Sequence, residues 1–287
     1  MLTYHMKIQR SVPIFALTLF MVMASGLAQS NHSEMPLSMR TRIQPFHKNG
    51  PWVEAQFEGT IDKTRTAIII TDMWDKHWCT GATNRVEEIA KRMEPVLEQA
   101  RRAGILIIHS PSDTMSFYAN DPGRLLAENA PMLTPAEELT IKDAPLPIDD
   151  SDDGCDTPGD KQHVVWTREN AALTIAPGDV VSDNGSEIYN VLKEHHIDTI
   201  LYMGVHANMC ILNRSFGVRQ MTKWGFRCII VRDLMDAMYN PASRPYVSHQ
   251  AGTELVYEFT EQYWAPSTTS NNLLKALRTN SQSSKNQ

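Results

Sequence analysis

Basic residues are outnumbered in this chain: 27 Lys and Arg stand against 33 Asp and Glu, for a formal charge of −6 over 287 residues. A protein that tracks a nucleic-acid backbone carries the opposite excess, so no nucleic-acid partner is expected. Cysteine is also sparse, with four in all, too few for a disulfide scaffold at this length. None falls in a Cys-x-x-Cys pair, which leaves a thiol redox protein without its motif. Gly-x-Ser-x-Gly is missing, so a serine hydrolase has no nucleophile elbow. No internal repeat is visible, and 42% hydrophobic residues with only 14 Gly and 16 Pro exclude a disordered or collagenous chain.

Long apolar runs are absent too. The longest, Val12 to Met23, has about 12 residues, whereas a bilayer span needs roughly 20. It follows Lys7 and Arg10 and precedes Gly26-Leu27-Ala28, the order of a basic start, an apolar stretch and a small-residue cleavage site. Residues 1–28 therefore read as a signal peptide, and the mature protein as periplasmic or secreted from a bacterium, with no membrane association after cleavage. Export leads to an oxidising space in which disulfides persist.

Residues 29–62 alternate in short segments and read as an N-terminal extension of strands. Thr66 to Asp72 is a continuous apolar run, as in a strand buried on both faces of a parallel sheet. Val86, Ile89, Met93, Val96 and Ala100 then recur at helical spacing up to Gly104. Further strands are expected at 105–109, 199–204 and 226–231, with helices over 185–196 and 209–224. This alternation predicts an α/β fold, a three-layer parallel sheet flanked by helices, over residues 63–266. The polar stretch 267–287 reads as a flexible tail.

Ligands of open parallel sheets bind beyond the carboxyl ends of the strands. Asp72 ends the first core strand, where it either caps a turn or does chemistry. Cys210 opens the helix after the strand 199–204. It is either a small buried hydrophobe or a nucleophile whose thiolate the helix N-terminus stabilises. Thr66-Ala67-Ile68-Ile69-Ile70-Thr71-Asp72-Met73-Trp74-Asp75 resembles the strand and catalytic Asp of the isochorismatase-like cysteine hydrolases, which include nicotinamidases and N-carbamoylsarcosine amidohydrolases. Asp198 to Cys210, through Gly204-Val205, resembles their second motif. The resemblance, over about residues 64–258, implies hydrolysis of a C–N bond through a thioester, with Cys210 as nucleophile and Asp72 as proton carrier. It implies a cis peptide between Val205 and His206 that turns the N–H groups of His206 and Cys210 toward the oxyanion. Family members are often multimers, so a homo-oligomer is expected.

The chain departs from the family at the third catalytic residue, a Lys, where Ser182 stands. Lys76 or Arg168 is a possible substituting cation. If neither serves, the alternative is a catalytically impaired relative that binds a small molecule or acts as a scaffold. Trp74, His77, Tyr118, Trp166 and Asn208 are candidate substrate-binding residues. The family's Asp-x-His metal pair is missing, and His77, His109 and Asp113 are scattered, so neither a metal nor another cofactor is expected. Asp149 to Asp156, with Asp160, resembles a calcium loop, but Pro158, Asp156 and the lack of flanking helices point to a solvated acidic turn. Cys79 and Cys155 lie in loops; an export-dependent disulfide between them is one reading and two free thiols the other.

Overall fold

The computed structural model describes residues 33–45 and 50–283. The signal peptide expected at 1–28 lies outside them. Among the described residues no helix is long and apolar enough to cross a membrane.

Four apolar runs form the centre of the sheet: β3 (Thr66–Thr71), β4 (Leu106–Ser110), β6 (Thr199–Val205) and β7 (Arg227–Asp236). With the short β5 (Val180–Val181) and β8 (Ser267–Thr268) they make parallel pairs in the order β8-β7-β6-β3-β4-β5. Each of these strands is apolar on both sides because each side meets helices. Ala67, Ile69, Ile200, Tyr202 and Ile230 face one core, with α3 (Gly185–Glu194), α5 (Val218–Lys223) and α6 (His249–Tyr263). Ile68, Ile70, Leu201, Met203 and Ile229 face the other, with α1 (Thr80–Arg102) and α7 (Ser270–Ser283). A side chain changes face at every residue, so the runs had to be continuous.

Three expectations change. The N-terminal segment does not merely decorate the domain. β1 (Glu34–Ile43) and β2 (Val53–Asp62) pair antiparallel and extend the same sheet through β8 to eight strands. The tail expected to be flexible instead supplies β8 and α7, whose Leu273, Ala276 and Leu277 are buried. Three apolar residues at helical spacing in a polar sequence suffice to dock a helix on a neighbouring core.

The single helix expected over 209–224 is broken into α4 (Cys210–Asn213) and α5. At the break Tyr202 Oη donates to the Phe216 carbonyl at 2.7 Å, the Ser215 hydroxyl accepts from the Gly185 N–H, and the Gly217 N–H returns to Arg214 O. These tertiary bonds replace the helical ladder and leave Arg214 extended, at ψ 155°.

Candidate active site

Asp72 follows the last residue of β3, is fully buried and adopts φ +48°. A left-handed aspartate at a strand end is a conformation that its surroundings must enforce. The Asp72 N–H donates to Ser110 O at 3.0 Å, while Oδ1 accepts from the Ser112 N–H at 2.8 Å. Beside it, Gly204 of β6 pairs with Thr71 at φ +113°, and a Cβ there would lie 2.1 Å from the Thr71 carbonyl. Only glycine lets β6 come this close, which brings the turn after it against Asp72. The Val205–His206 peptide in that turn is cis.

Cys210 begins α4 and is partly exposed, and the Asp72 carboxylate is its nearest acidic neighbour in electrostatic effect. The backbone N–H of His206 also faces the sulfur. Cys228, by contrast, is buried in β7. The expected stabilisation of a Cys210 thiolate by a helix N-terminus does not occur. A helix of four residues offers little dipole. Burial and the neighbouring Asp72 charge push the thiol well above its ordinary pKa. The pair is thus a neutral thiol beside a carboxylate that can take its proton.

The cation at Asp72 is neither of the two expected. Arg168 is exposed, with its guanidinium over the Phe117 ring, and Lys76 is exposed. Instead Arg214 Nε donates to Asp72 Oδ2 at 3.0 Å, and its Nη2 reaches Asp113 Oδ2 at 3.3 Å. Burial raises the Asp72 pKa, and Arg214 opposes that rise. The guanidinium itself, though partly buried, is held charged by Asp72. Ser182, at the family's Lys position, is fully buried and donates to Glu187, which Arg124 clamps. Arg214 lies four residues after Cys210, one helical turn on. The helix stops at Asn213, so that spacing by itself does not disclose the pairing, which the break after α4 creates.

Trp74, His77 and Trp166 do come together. Trp74 stacks on Trp166 at 4.3 Å between ring centres, and His77 lies 5.8 Å from Trp166 and 5.0 Å from the His206 ring. The Trp74 indole donates to Ser112 O at 2.9 Å, tying this plate to the backbone that binds Asp72. Burial lowers the His77 pKa to about 4 and that of His206 to about 3, so both rings are neutral near pH 7. On the segments that form the plate and flank Asp72 and Cys210, the hydroxyls of Thr71, Ser110 and Ser112, Trp166 Nε1 and His206 Nε2 are buried without a protein partner.

Two other expected residues serve differently. Asn208 is fully buried and its amide is committed: Nδ2 donates to Asp150 Oδ2 and Met238 O, and Oδ1 accepts from the Met238 N–H. Both of its N–H groups are spent and the side chain is fully buried, so it is not presented to a substrate. Tyr118 accepts the Glu169 N–H at 2.8 Å and lines a separate cavity of about 480 Å³ with Phe117, Arg168 and Glu169.

The imagined metal ligands do not converge. His77 Nδ1 accepts the Cys79 N–H, Asp113 pairs with Arg214, and His109 is held between Glu169 at 2.7 Å and Asp179 at 3.1 Å. Among the described residues, Cys79, Cys155 and Asp156 bring ligand atoms within 4.8 Å, but the two sulfurs are joined in a disulfide. The acidic run is the exposed turn expected at Asp149, Asp152 and Asp153, but Asp150, Asp152 and Asp156 also accept from protein donors.

No family model matches the chain, and no curated protein matches it in sequence. Its structure is similar to that of a cysteine hydrolase from Pseudomonas syringae pv. phaseolicola 1448A, at a TM-score of 0.50 and 19% identity, over 77% of this chain and 95% of that one. An isochorismatase from Pseudomonas putida KT2440 aligns at 0.44 and 13%, over 74% and 91% of the two chains. N-carbamoylsarcosine amidase from Thermoplasma acidophilum aligns at 0.41 and 16%, over 72% and 97%. The first likeness establishes the fold: this chain has the three-layer α/β architecture of that cysteine hydrolase.

Proposed function

We propose that this protein is an exported cysteine hydrolase that cleaves the C–N bond of a small amide or carbamoyl compound through a thioester. One observation carries the reading: the Cys210 thiol lies beside the buried carboxylate of Asp72, which is itself ion-paired to Arg214. The sulfur attacks the carbonyl carbon as Asp72 takes the thiol proton, and the N–H groups of His206 and Cys210 face the developing oxyanion. Asp72 then passes the proton to the departing nitrogen. The amine leaves, and the acyl group stays on sulfur. Water, giving a proton to Asp72, attacks the thioester; the acid product leaves and the thiol regains its proton. Arginine cannot deprotonate in this range, so its task is electrostatic: it keeps Asp72 ionised in a buried site.

The unpartnered polar atoms and neutral aromatic plate suit a small polar substrate without a net charge at the plate. Export is supported by the leader-like sequence of residues 1–28 and by the Cys79–Cys155 disulfide, a bond that persists in oxidising compartments. The test is ammonia or amine release from a panel of amides, ureas and N-carbamoyl compounds, run beside iodoacetamide labelling at pH 7. Turnover that is lost in Cys210→Ala, with rapid labelling of Cys210 that Asp72→Asn slows, supports the enzyme. Labelling of Cys210 as slow as that of Cys228, with no turnover, supports the binding or scaffold alternative and overturns this reading.

A further inference from the structure

The acidic run and the cysteine pair take no part in the reaction above, yet both lead to the turn that carries the nucleophile. Cys79 lies just before α1 and Cys155 is the last residue but one of the run, 76 positions later, and they are joined in a disulfide with Cα atoms 5.7 Å apart. Around that bond sits a small apolar cluster of its own: Cys79, Ala82 and Met238, with Trp78, Cys155 and Met209 packed on it. Met209 immediately precedes Cys210.

A second connection is polar. Asp150 Oδ2 accepts from Asn208 Nδ2 at 2.8 Å, and the same amide exchanges two bonds with Met238. A third is steric, because Gly154 lies so close to Met238 that a Cβ would stand 2.3 Å from its carbonyl oxygen. A fourth runs through charge: Arg85 joins Asp156 at 2.6 Å to Asp236 at 2.8 Å, and the Asp236 carbonyl accepts the Ala207 N–H at 2.7 Å. Residues 208 and 209 are thus held from the side of loop 149–156, and 207 by the end of β7, to which Arg85 ties that loop. That loop lies in a stretch without helix or strand, residues 130–179, so no secondary structure of its own keeps it there. Its anchors are therefore tertiary: Arg85 on Asp156, Asn240 and Ser243 on Asp152, and the disulfide, which alone is covalent.

We propose that the Cys79–Cys155 disulfide positions the nucleophile turn, so that Cys210 and Asp72 work as a pair only while this bond is closed. The inference rests on the hydrolase reading and adds its regulation: the enzyme is latent until oxidised. Closing the bond passes two electrons and two protons from the thiols of Cys79 and Cys155 to an exchanging protein disulfide, which is reduced to two thiols. Opened, Cys155 is free to leave α1, and Asn208 and Met209 lose their outer supports. Cys79, Cys155 and Asp150 act as positioning residues, since none touches a reacting atom.

The test is a double-mutant comparison on the full-length oxidised protein. Iodoacetamide labelling of Cys210 at pH 7 is followed by peptide mass spectrometry, with Cys228 as the internal buried reference. Each of wild type, Cys79→Ser/Cys155→Ser and Asp150→Ala is measured with and without Asp72→Asn. The expected result is that Asp72→Asn slows labelling by about 10-fold or more in the oxidised wild type and by less than about 3-fold without the disulfide, because the two sites are coupled. Asp150→Ala falls between them, with Cys228 still protected. An equal Asp72→Asn factor in all folded backgrounds overturns the proposal. Should the disulfide-free variant lose Cys228 protection, wild type with the Cys79–Cys155 bond reduced by dithiothreitol decides instead, and an unchanged Asp72→Asn factor there overturns it. No effect of Asp72→Asn even in the oxidised wild type defeats the hydrolase reading, and this inference with it.

Discussion

Replacing Arg214 with leucine tests whether the cation can come from a position other than the family's lysine. The guanidinium is 3.0 Å from the Asp72 carboxylate, which is fully buried, and is itself 30% exposed. Taking charge centres about 4 Å apart and an effective dielectric near 20, the attraction is about 4 kcal/mol. Water entering the space left by the shorter side chain returns part of it, so the ionised form of Asp72 should lose about 3 to 4 kcal/mol. At 1.4 kcal/mol per decade, that is a fall of roughly 10²- to 10³-fold in Asp72-dependent reactivity on the acid limb, where Asp72 is mostly protonated in both proteins.

The sign of the pH effect follows. Asp72 acts as the carboxylate, and burial already raises its pKa against the pull of Arg214. Removing Arg214 raises it further, so the acid limb of the rate profile moves to higher pH. Iodoacetamide labelling of Cys210 between pH 5 and 9 measures both effects without a known substrate. Arg214→Lys keeps the charge but loses the fork that also holds Asp113, and should stay within about 10-fold of wild type. An Arg214→Leu protein that labels at the wild-type rate with an unmoved acid limb refutes the electrostatic role.

His109 is buried between two carboxylates. Burial disfavours its charge, but Glu169 and Asp179 outweigh that and raise its pKa from 6.5 to about 9. Its stabilising contribution, about 3 kcal/mol by linkage, is complete below the ordinary value of 6.5 and fades as pH rises through about 9. Thermal melts across that window should show His109→Gln with a lower Tm at pH 6 and a flatter decline than wild type. Gly204→Ala drives a methyl into the Thr71 carbonyl and should destabilise by about 3 kcal/mol or more, read by urea unfolding; a normal midpoint rejects the close approach of β6. Leu273→Ala, deep under α7, should cost about 2 to 5 kcal/mol. An unchanged melt would mean that α7 adds nothing to the core.

The amino-acid order alone declared the sheet. Ile68 to Ile70, Leu106 to Ile108 and Ile200 to Met203 are apolar on every residue, which only strands covered on both faces require. It also marked the ends of the two strands that meet at the site, because an aspartate at 72 and a glycine at 204 are each poor strand formers. What remained hidden concerns side chains from distant segments. Arg214 became a partner of Asp72 through a helix break made by Tyr202, Ser215 and Gly185, residues whose meeting no local window contains. Asn208 turned inward for the same kind of reason: Asp150 and Met238 satisfy its amide, and a side chain's partners are decided by which strands lie next to each other. Periodicity reports burial, a local property of the chain; the direction of a polar group depends on the nearest donor or acceptor in space, and only the folded arrangement of β3, β6, β7 and the acidic loop set those distances.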